Sequence, residues 1–429
     1  MSENKTVYYP LRPMQRWIVD NNFLKARSTM MNIHRLFKFD KLIDMQRLAD
    51  TINAILNAYD IFRCRFDFHP ETNDICQRFD GEITPVTVEK ISDEEFEKIV
   101  PTLTSPYKSF KEPFWRARIF ETPTAKYLYL DFYHGILDGT ATIILFWREL
   151  DSRYKGKTIK RVPIKYADYI EEELKTPPEF LEEGHKYFRE MLKYLDTEKH
   201  LIPFDVDNRD VWQKGEVECP IANITREYFT RTKRKETVFF LAASMLAIAK
   251  SAGATSSVMS WLHNGRVTTK EMRLMGVMIE HFPISWDFIK EDCTVEKFLN
   301  GLDAKMTKSL EYRKSLDVVY NEGLEDDTIT FMFQKKTLGD VSINLKLDGK
   351  TTEIIDVPDN EYTAAENYLN IEVCLIDDDT YTILLEYHLG TYTENAMKNY
   401  VELFNEMVLK LQDENQLVSK ILGVDGANG

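Results

Sequence analysis

The chain has 429 residues, of which 43% are hydrophobic and 12% aromatic, enough for packed interiors. A chain of this length exceeds what one core usually organises, so two domains are expected. Acidic residues outnumber basic ones, 70 to 55, leaving a formal charge of −15. That charge excludes nonspecific nucleic-acid binding by the surface as a whole, though not a local basic patch. Cys64, Cys76, Cys219, Cys293 and Cys374 are scattered, without a CxxC or Cys/His pairing. This pattern argues for a reducing compartment and against a disulfide framework or a zinc site. No signal peptide opens the chain and no apolar run approaches a membrane span, so a cytoplasmic protein without a membrane partner is expected.

Taken in order, the first part alternates strands and helices. Met14 to Asn22 reads as a short helix with Pro10 and Pro13 at its entrance. Asn32 to Phe39 reads as a strand. Ile43 to Tyr59, with Leu48, Ile52, Ile55, Leu56 and Tyr59 on one face, reads as an amphipathic helix. Ile61 to Phe68 is expected as a strand carrying Arg63, followed by short strands at Ile75 to Phe79 and Val86 to Ile91. Ser92-Asp-Glu-Glu95 has the look of a capping box. Phe114 to Glu121 then pairs with Tyr127 to Phe132 across the turn at Thr122 to Lys126, and Thr140 to Leu150 has helical spacing.

Charged helices at Lys165 to Leu174 and Pro177 to Tyr194 lead into a connector from Asp196 to Val211. Beyond it, Thr237 to Ala249 reads as an apolar helix, Ser256 to His263 as a strand and Val295 to Tyr312 as a helix. Asp327 to Phe333, Val341 to Leu347 and Thr351 to Val357 read as strands of an antiparallel sheet. Tyr368 to Ile376 and Tyr381 to Tyr387 form a hairpin around Asp377-Asp378-Asp379, and Thr393 to Leu411 is the last long helix.

The chemistry concentrates in KYLYLDFYHGILDGTATIILFWREL, Lys126 to Leu150. Strand, turn and helix follow one another there, with His134, Asp138 and Gly139 between them. The strand fixes the backbone, glycine permits a tight turn, and a helix start can host negative charge. A neutral imidazole at His134 can accept a proton near neutral pH. Asp138 can buttress the turn or an arginine. From these residues alone, a polar strand end that bonds only its own loop fits equally well.

YHGILDGTAT resembles the HHxxxDG motif of the condensation-domain superfamily, which includes peptide-synthetase condensation domains and coenzyme A-dependent acyltransferases. Further stretches match in order. YPLRPMQRW resembles LSxAQxRxW, AYDIFRCRF resembles RHExLRTxF with Arg63 and Phe66 matched, and YADY resembles YxDYA. The stretch from Gly265 to Ile284 is similar to the one ending IGxFVNTLPL, with Gly276 and Pro283 in register. The resemblance covers most of the chain. It departs where Tyr133 replaces the first His and where Glu280-His281 replaces Asn-Thr.

The resemblance implies an α/β (α+β) fold of two chloramphenicol acetyltransferase-like subdomains in a V-shaped pseudo-dimer. We place them at residues 1–175, carrying the motif, and 176–429, with the connector helices. LLEYHLGTYTENAMKNYVELF, Leu384 to Phe404, echoes the motif segment without Asp-Gly, so His388 reads as a structural copy. The resemblance further implies that His134 is the catalytic residue, as base or as hydrogen-bonding stabiliser. Asp138 and Gly139 shape the site, with Arg63 or Arg266 as the arginine partner of Asp138. Tyr133, Gly135 and His281 are its substrate-channel candidates. His34, His69, His185, His200 and His263 have no ligand-like spacing, and no metal is expected.

Two basic stretches, Tyr154 to Lys165 and Arg226 to Lys235, interrupt the acidic background. Either they are solvated helix ends or they attract a phosphorylated ligand. On the second reading, Arg226, Arg231, Lys233, Arg234 and Lys235 contact the phosphopantetheine of an acyl or peptidyl carrier protein. The expected reaction is amide formation between a pantetheine thioester and a small amine, in nonribosomal peptide biosynthesis; a small alcohol acceptor would give an ester instead. Coenzyme A-dependent O- or N-acyl transfer from acyl-CoA and a non-catalytic docking role are the alternatives. No tightly bound cofactor is expected, and the protein is expected to be a monomer.

Overall fold

A computed structural model describes residues 6–26, 29–157, 162–193, 201–208, 213–322, 329–335, 345–358 and 367–424. The chain forms two compact units. The first comprises residues 1–176 together with Arg266–Ile279 and Val341–Tyr362; the second comprises Pro177–Gly265, Glu280–Asp340 and Thr363–Gly429. Two stretches of the second half of the sequence therefore belong with the first unit, which a single cut near residue 175 does not anticipate.

The first unit is built on a five-stranded sheet in the order Glu353–Ile355, Asn32–Phe39, Lys126–Tyr133, Trp115–Glu121, Val88–Lys90. All neighbours are antiparallel except the last pair. The expected hairpin between Trp115–Glu121 and Lys126–Tyr133 is present, with Phe132 opposite Trp115. Strand alternation splits Lys126–Tyr133 between two cores. Tyr129 joins Leu36, Phe96, Leu103 and Phe120 on one side. On the other, Phe132 meets Phe62 and Phe146, with ring centroids 6.1 and 5.1 Å away. A small sheet of Tyr9–Pro10, Ile75–Arg78 and Arg65–Phe68 completes this unit.

The amphipathic helix predicted over Ile43 to Tyr59 runs Met45–Ala58, opened by Asp44, whose carboxylate accepts from Arg47 N. The capping box at Ser92 is present. The motif helix is π-helical over Thr140–Phe146 and becomes α-helical at Trp147–Tyr154.

The second unit holds a six-stranded sheet in the order Glu280–Asp287, Ser256–His263, Thr330–Lys335, Leu369–Leu375, Tyr381–His388, Lys214–Pro220. The helix Glu236–Ala252 is buried almost all round, consistent with its unbroken apolar run. Thr330–Lys335 is parallel to both its neighbours, so the antiparallel expectation is corrected there. Residues 341–344 of Val341 to Leu347, and residues 196–200 and 209–211 of the connector Asp196 to Val211, lie outside the described residues. Glu353–Ile355 pairs with Asn32–Phe39 in the first unit, not with second-half strands. The strands Lys214–Pro220 and Glu280–Asp287 carry no clear period in the sequence and were not expected.

Candidate functional site

Strand Lys126–Tyr133 ends one residue before His134, whose main-chain N–H still bonds Met31 O at 2.8 Å. The chain then turns, with Ile136 N and Leu137 N bonding Tyr133 O. Ile136 and Leu137 are fully buried and anchor the turn in the core. His134 keeps part of its surface exposed, while its Nδ1 is shut off from solvent without a hydrogen-bond partner. Burial pushes the imidazole below the ordinary histidine pKa; its own main-chain carbonyl and Asp138 pull less strongly the other way. The ring is therefore neutral near pH 7.

Asp138 is 1% exposed and fills a clamp of four hydrogen bonds. Its Oδ2 accepts from Arg266 at 2.7 Å, Met278 N at 2.8 Å and Ile279 N at 3.3 Å. Its Oδ1 accepts from Ala141 N at 2.8 Å, tying the turn to the helix start. Arg266 is equally buried and also donates to the carbonyls of Leu274 and Gly276, at 3.2 and 3.1 Å. All these residues lie in the first unit. Of the two candidate arginines, Arg266 is the partner. Arg63 sits in the short 3-10 turn Asp60–Arg63, not on a strand, and donates to Gly81 O and Asn57.

Three further expectations are corrected. Tyr133 does not line a channel: it is fully buried among Phe23, Phe66, Tyr107 and Phe114, and its hydroxyl donates to Ile18 O. Adjacent strand residues face opposite sides, so a core position at Tyr133 accompanies the outward path of His134. Gly135 is likewise buried: a Cβ there would lie 2.4 Å from the Tyr133 ring. Gly139 has right-handed helical backbone, and a Cβ there would meet nothing within 4 Å. No tight turn requires that glycine.

Sequence reasoning passed over several supports of the turn. Gln15, fully buried, donates to Gly135 O at 2.9 Å and pairs with buried Gln77. Arg12 donates to Val277 O at 2.9 Å and ion-pairs with Glu173 at 2.9 Å. Tyr166 donates to the same carbonyl at 2.8 Å, and its ring packs so closely on Gly276 that a Cβ would lie 2.2 Å away. The signal was present: Arg12 and Gln15 fall inside YPLRPMQRW and Tyr166 inside YADY.

In the second unit His281 lies on Glu280–Asp287, opposite Leu262. His388 is fully buried, and its Nδ1 accepts from Gly390 N at 3.1 Å, as a closed copy of the motif turn would. The basic stretch forms the helix Arg226–Thr232, a left-handed Lys233 and the start of Glu236–Ala252. Arg234 is paired with Glu414 at 2.7 Å and Lys235 with Asp303 at 2.6 Å, so their charge is locally offset. Arg226, Arg231 and Lys233 are exposed. A surface hollow lined by Arg226, Phe229, Arg234 and Phe333 lies beside them. In the other stretch Lys155 pairs with Asp151, and residues 158–161 lie outside the described residues. Among the described residues no group of His, Cys, Asp and Glu is placed to hold a metal, and no helix is long and apolar enough to cross a membrane.

The profile of the condensation domain family matches residues 5–425, and the chain belongs to that family. Surfactin synthase subunit 1 of Bacillus subtilis (strain 168) is 20% identical over 417 residues, covering 93% of this chain and 11% of the subunit. The chain thus spans a small part of the curated relatives it matches. Among solved structures, the condensation domain of the monacolin K polyketide synthase MokA matches with a TM-score of 0.71 at 16% identity, covering 96% of this chain and 99% of that one. A mutant starter condensation domain of the rhizomide synthetase RzmA, in complex with C8-CoA, matches with a TM-score of 0.70 at 13% identity, covering 98% and 97%. These likenesses show the fold, that of two chloramphenicol acetyltransferase-like subdomains.

Proposed function

We propose that this chain is a condensation-type acyltransferase that joins a pantetheine-bound acyl thioester to a small amine, making an amide. The observation that carries this reading is His134: a neutral, partly open imidazole beyond a strand end, on a turn locked by the Asp138 clamp. The amine nitrogen attacks the thioester carbonyl carbon, and the imidazole Nε2 takes the proton that the nitrogen must lose. Collapse of the tetrahedral intermediate breaks the carbon–sulfur bond, and the proton passes to the departing thiolate. The low pKa of His134 keeps the ring unprotonated, so no proton must be removed before the first step. Asp138 is saturated by four donors that hold the loop, which supports a positioning role rather than contact with the reactants. Tyr133 in the core means that its departure from the family motif concerns packing, which favours an active enzyme over a docking domain.

The donor is carried by an acyl or peptidyl carrier protein in nonribosomal peptide synthesis, with Arg226, Arg231 and Lys233 as its exposed basic contacts. A second reading, direct use of acyl-CoA, is favoured by the likeness to a starter domain in complex with C8-CoA. The test is product formation from octanoyl-pantetheine, octanoyl-CoA and octanoyl-carrier protein with a panel of amines, followed by mass spectrometry. His134→Ala should lose about 10²–10⁴ in rate while keeping its melting temperature. Near-normal turnover by the folded variant would remove His134 from the mechanism. Turnover of octanoyl-CoA as fast as the carrier-bound donor would favour the second reading.

A further inference from the structure

One buried acid of the first unit takes no part in the clamp. Asp131 stands on strand Lys126–Tyr133, ahead of His134, and its side chain is fully buried. Its hydrogen bonds fall on one oxygen alone. Oδ2 accepts from Arg116 and from Asn32 Nδ2, each at 2.9 Å. Oδ1 is shut off from solvent and has no hydrogen-bond partner among the described residues. Asn32 shows the same asymmetry. Its Nδ2 donates to Asp131 Oδ2 and, at 3.1 Å, to Ser105 O, while its Oδ1 is closed off without a partner. Flipping the amide does not help, because it would set Oδ1 against those same two acceptors.

Two planar groups are thus joined by one hydrogen bond, and the other end of each is a bare acceptor. Two such acceptors left unmet in the interior destabilise the fold. One proton satisfies both. A carboxylic acid at Asp131 donates from Oδ1 to Asn32 Oδ1 and keeps Oδ2 as the acceptor for Arg116 and the amide. The surrounding charge is modest. Arg116 is shared, donating also to the carbonyls of Ser105 and Pro106, lying over the Tyr107 ring at 3.9 Å and pairing with Glu112 at 3.7 Å. Arg118 on the same strand is taken up by Glu89 at 2.6 Å. His34 stands opposite Asp131 in the register, Tyr129 shares its sheet face with its hydroxyl 3.1 Å from Thr104 Oγ1, and Tyr107 donates to Asp131 O at 3.1 Å. Burial pushes the Asp131 carboxyl up to about 6, with Arg116, then Asn32 and Tyr129, pulling less strongly the other way.

We propose that Asp131 and Asn32 form a proton-operated latch: with a proton on Asp131 Oδ1 the two side chains close as an acid–amide pair, and without it one of the two bonds is lost. The latch sits directly behind the motif turn. Asn32 follows Met31, whose carbonyl accepts the His134 N–H at 2.8 Å, and it stands opposite Tyr133. Asp131 is therefore a positioning residue, acting on His134 through the main chain of Met31. The latch does not rest on the acyl-transfer reading. Its folded carboxyl titrates above the ordinary 3.8, so its contribution to stability is complete below that value and is lost as pH rises through about 6. The separation corresponds to roughly a 100-fold change in the folding equilibrium.

Carbon-13 NMR of the full chain, labelled at the aspartate carboxyls, follows the proton directly. The Asp131 resonance should titrate between about pH 5 and 7, well above the range of exposed aspartates. Its loss in Asp131→Asn assigns it, and main-chain correlations assign it in the wild type if that variant fails to fold. Asp131→Asn puts an amide N–H in the proton's place at every pH. The melting temperature of the wild type should therefore fall relative to the variant as pH rises from about 4.5 to 7.5. Hydrogen-exchange protection of the His134 amide should drop roughly threefold or more over that range in the wild type and stay level in Asp131→Asn. An Asp131 resonance that titrates below about pH 4.5 would overturn the latch, leaving an ionised carboxylate with a water or the Tyr129 hydroxyl on Oδ1. Equal pH dependence of melting in the two proteins would overturn it as well. His134 protection that follows pH alike in both would sever the latch from the turn and overturn the positioning role. None of these measurements uses turnover, so failure of the latch and failure of the acyl-transfer reading are told apart.

Discussion

Replacing Asp138 with Ala should destabilise the first unit far more than replacing His134. The carboxylate accepts four hydrogen bonds, one from a fully buried guanidinium and three from main-chain N–H groups of Ala141, Met278 and Ile279. Alanine strands all four donors. Breaking a buried ion pair by removing one partner typically costs about 3–5 kcal/mol, and the stranded N–H groups push the figure toward the upper end. The first unit has about 200 residues, for which each kcal/mol lowers the melting temperature by roughly 2–4 °C. The expected fall is therefore roughly 6–20 °C by calorimetry. His134→Ala removes a ring with one unpartnered buried nitrogen and should stay within about 2 °C of wild type. The double variant Asp138→Leu/Arg266→Met removes both charges and should recover a good part of the loss, because a buried pair is often replaceable by apolar groups. A melting temperature for Asp138→Ala close to wild type, or below it by less than that of His134→Ala, would refute the clamp. So would a double variant that loses the sum of the single losses.

Three further outcomes are expected. Because burial lowers the His134 pKa, the acid limb of kcat/KM should fall below pH 6.5, the neutral base persisting above it and being lost as pH drops through the depressed value; a limb above 7 would contradict this. Gly139→Ala should leave the melting temperature unchanged or slightly raised, since its backbone is helical and the space open, whereas Gly135→Ala should lower it by driving a methyl into the Tyr133 ring; equal melts would deny the difference in packing. Reversing exposed Arg226 and Arg231 to Glu should raise KM for a carrier-bound donor and flatten its salt dependence above ~0.15 M, while Arg234→Glu should chiefly destabilise by repelling Glu414; an unchanged KM in the first would make the stretch a solvated helix end.

The motif segment was legible because its signals are local. The periods of a strand and a helix flank His134 and Asp138, and the structure keeps that order. Arg63 and Arg266 were indistinguishable in sequence, since both sit in matched motifs and only the tertiary path decides which guanidinium reaches Asp138. Tyr133 was misassigned because a motif position says nothing of which face of a sheet a residue takes; its ring completes an aromatic cluster whose members are scattered from Phe23 to Phe114. Thr330–Lys335 carries the same apolar character whether its neighbours run with it or against it, so its parallel pairing could not be read locally.

The clamp also explains the long connection between two neighbouring strands of the second unit. Ser256–His263 and Glu280–Asp287 are hydrogen-bonded antiparallel neighbours, His263 standing opposite Glu280. Two or a few residues would suffice to join such strands. The chain instead leaves the second unit between them, contributes Arg266–Ile279 to the first unit, and returns. Several fixed points of that excursion serve the turn after His134: Arg266 and the N–H groups of Met278 and Ile279 hold Asp138, while Arg12 and Tyr166 hold Val277 O. A connection this long, buried over 274–278 and bonded at both ends, is not a slack loop. It fixes the backbone that carries His134, as does Gln15, which grips Gly135 O. The imidazole is thus presented by a rigid turn whose supports come from well-separated parts of the sequence. A change anywhere in residues 266–279 that weakens these bonds should therefore be felt at His134 without touching it.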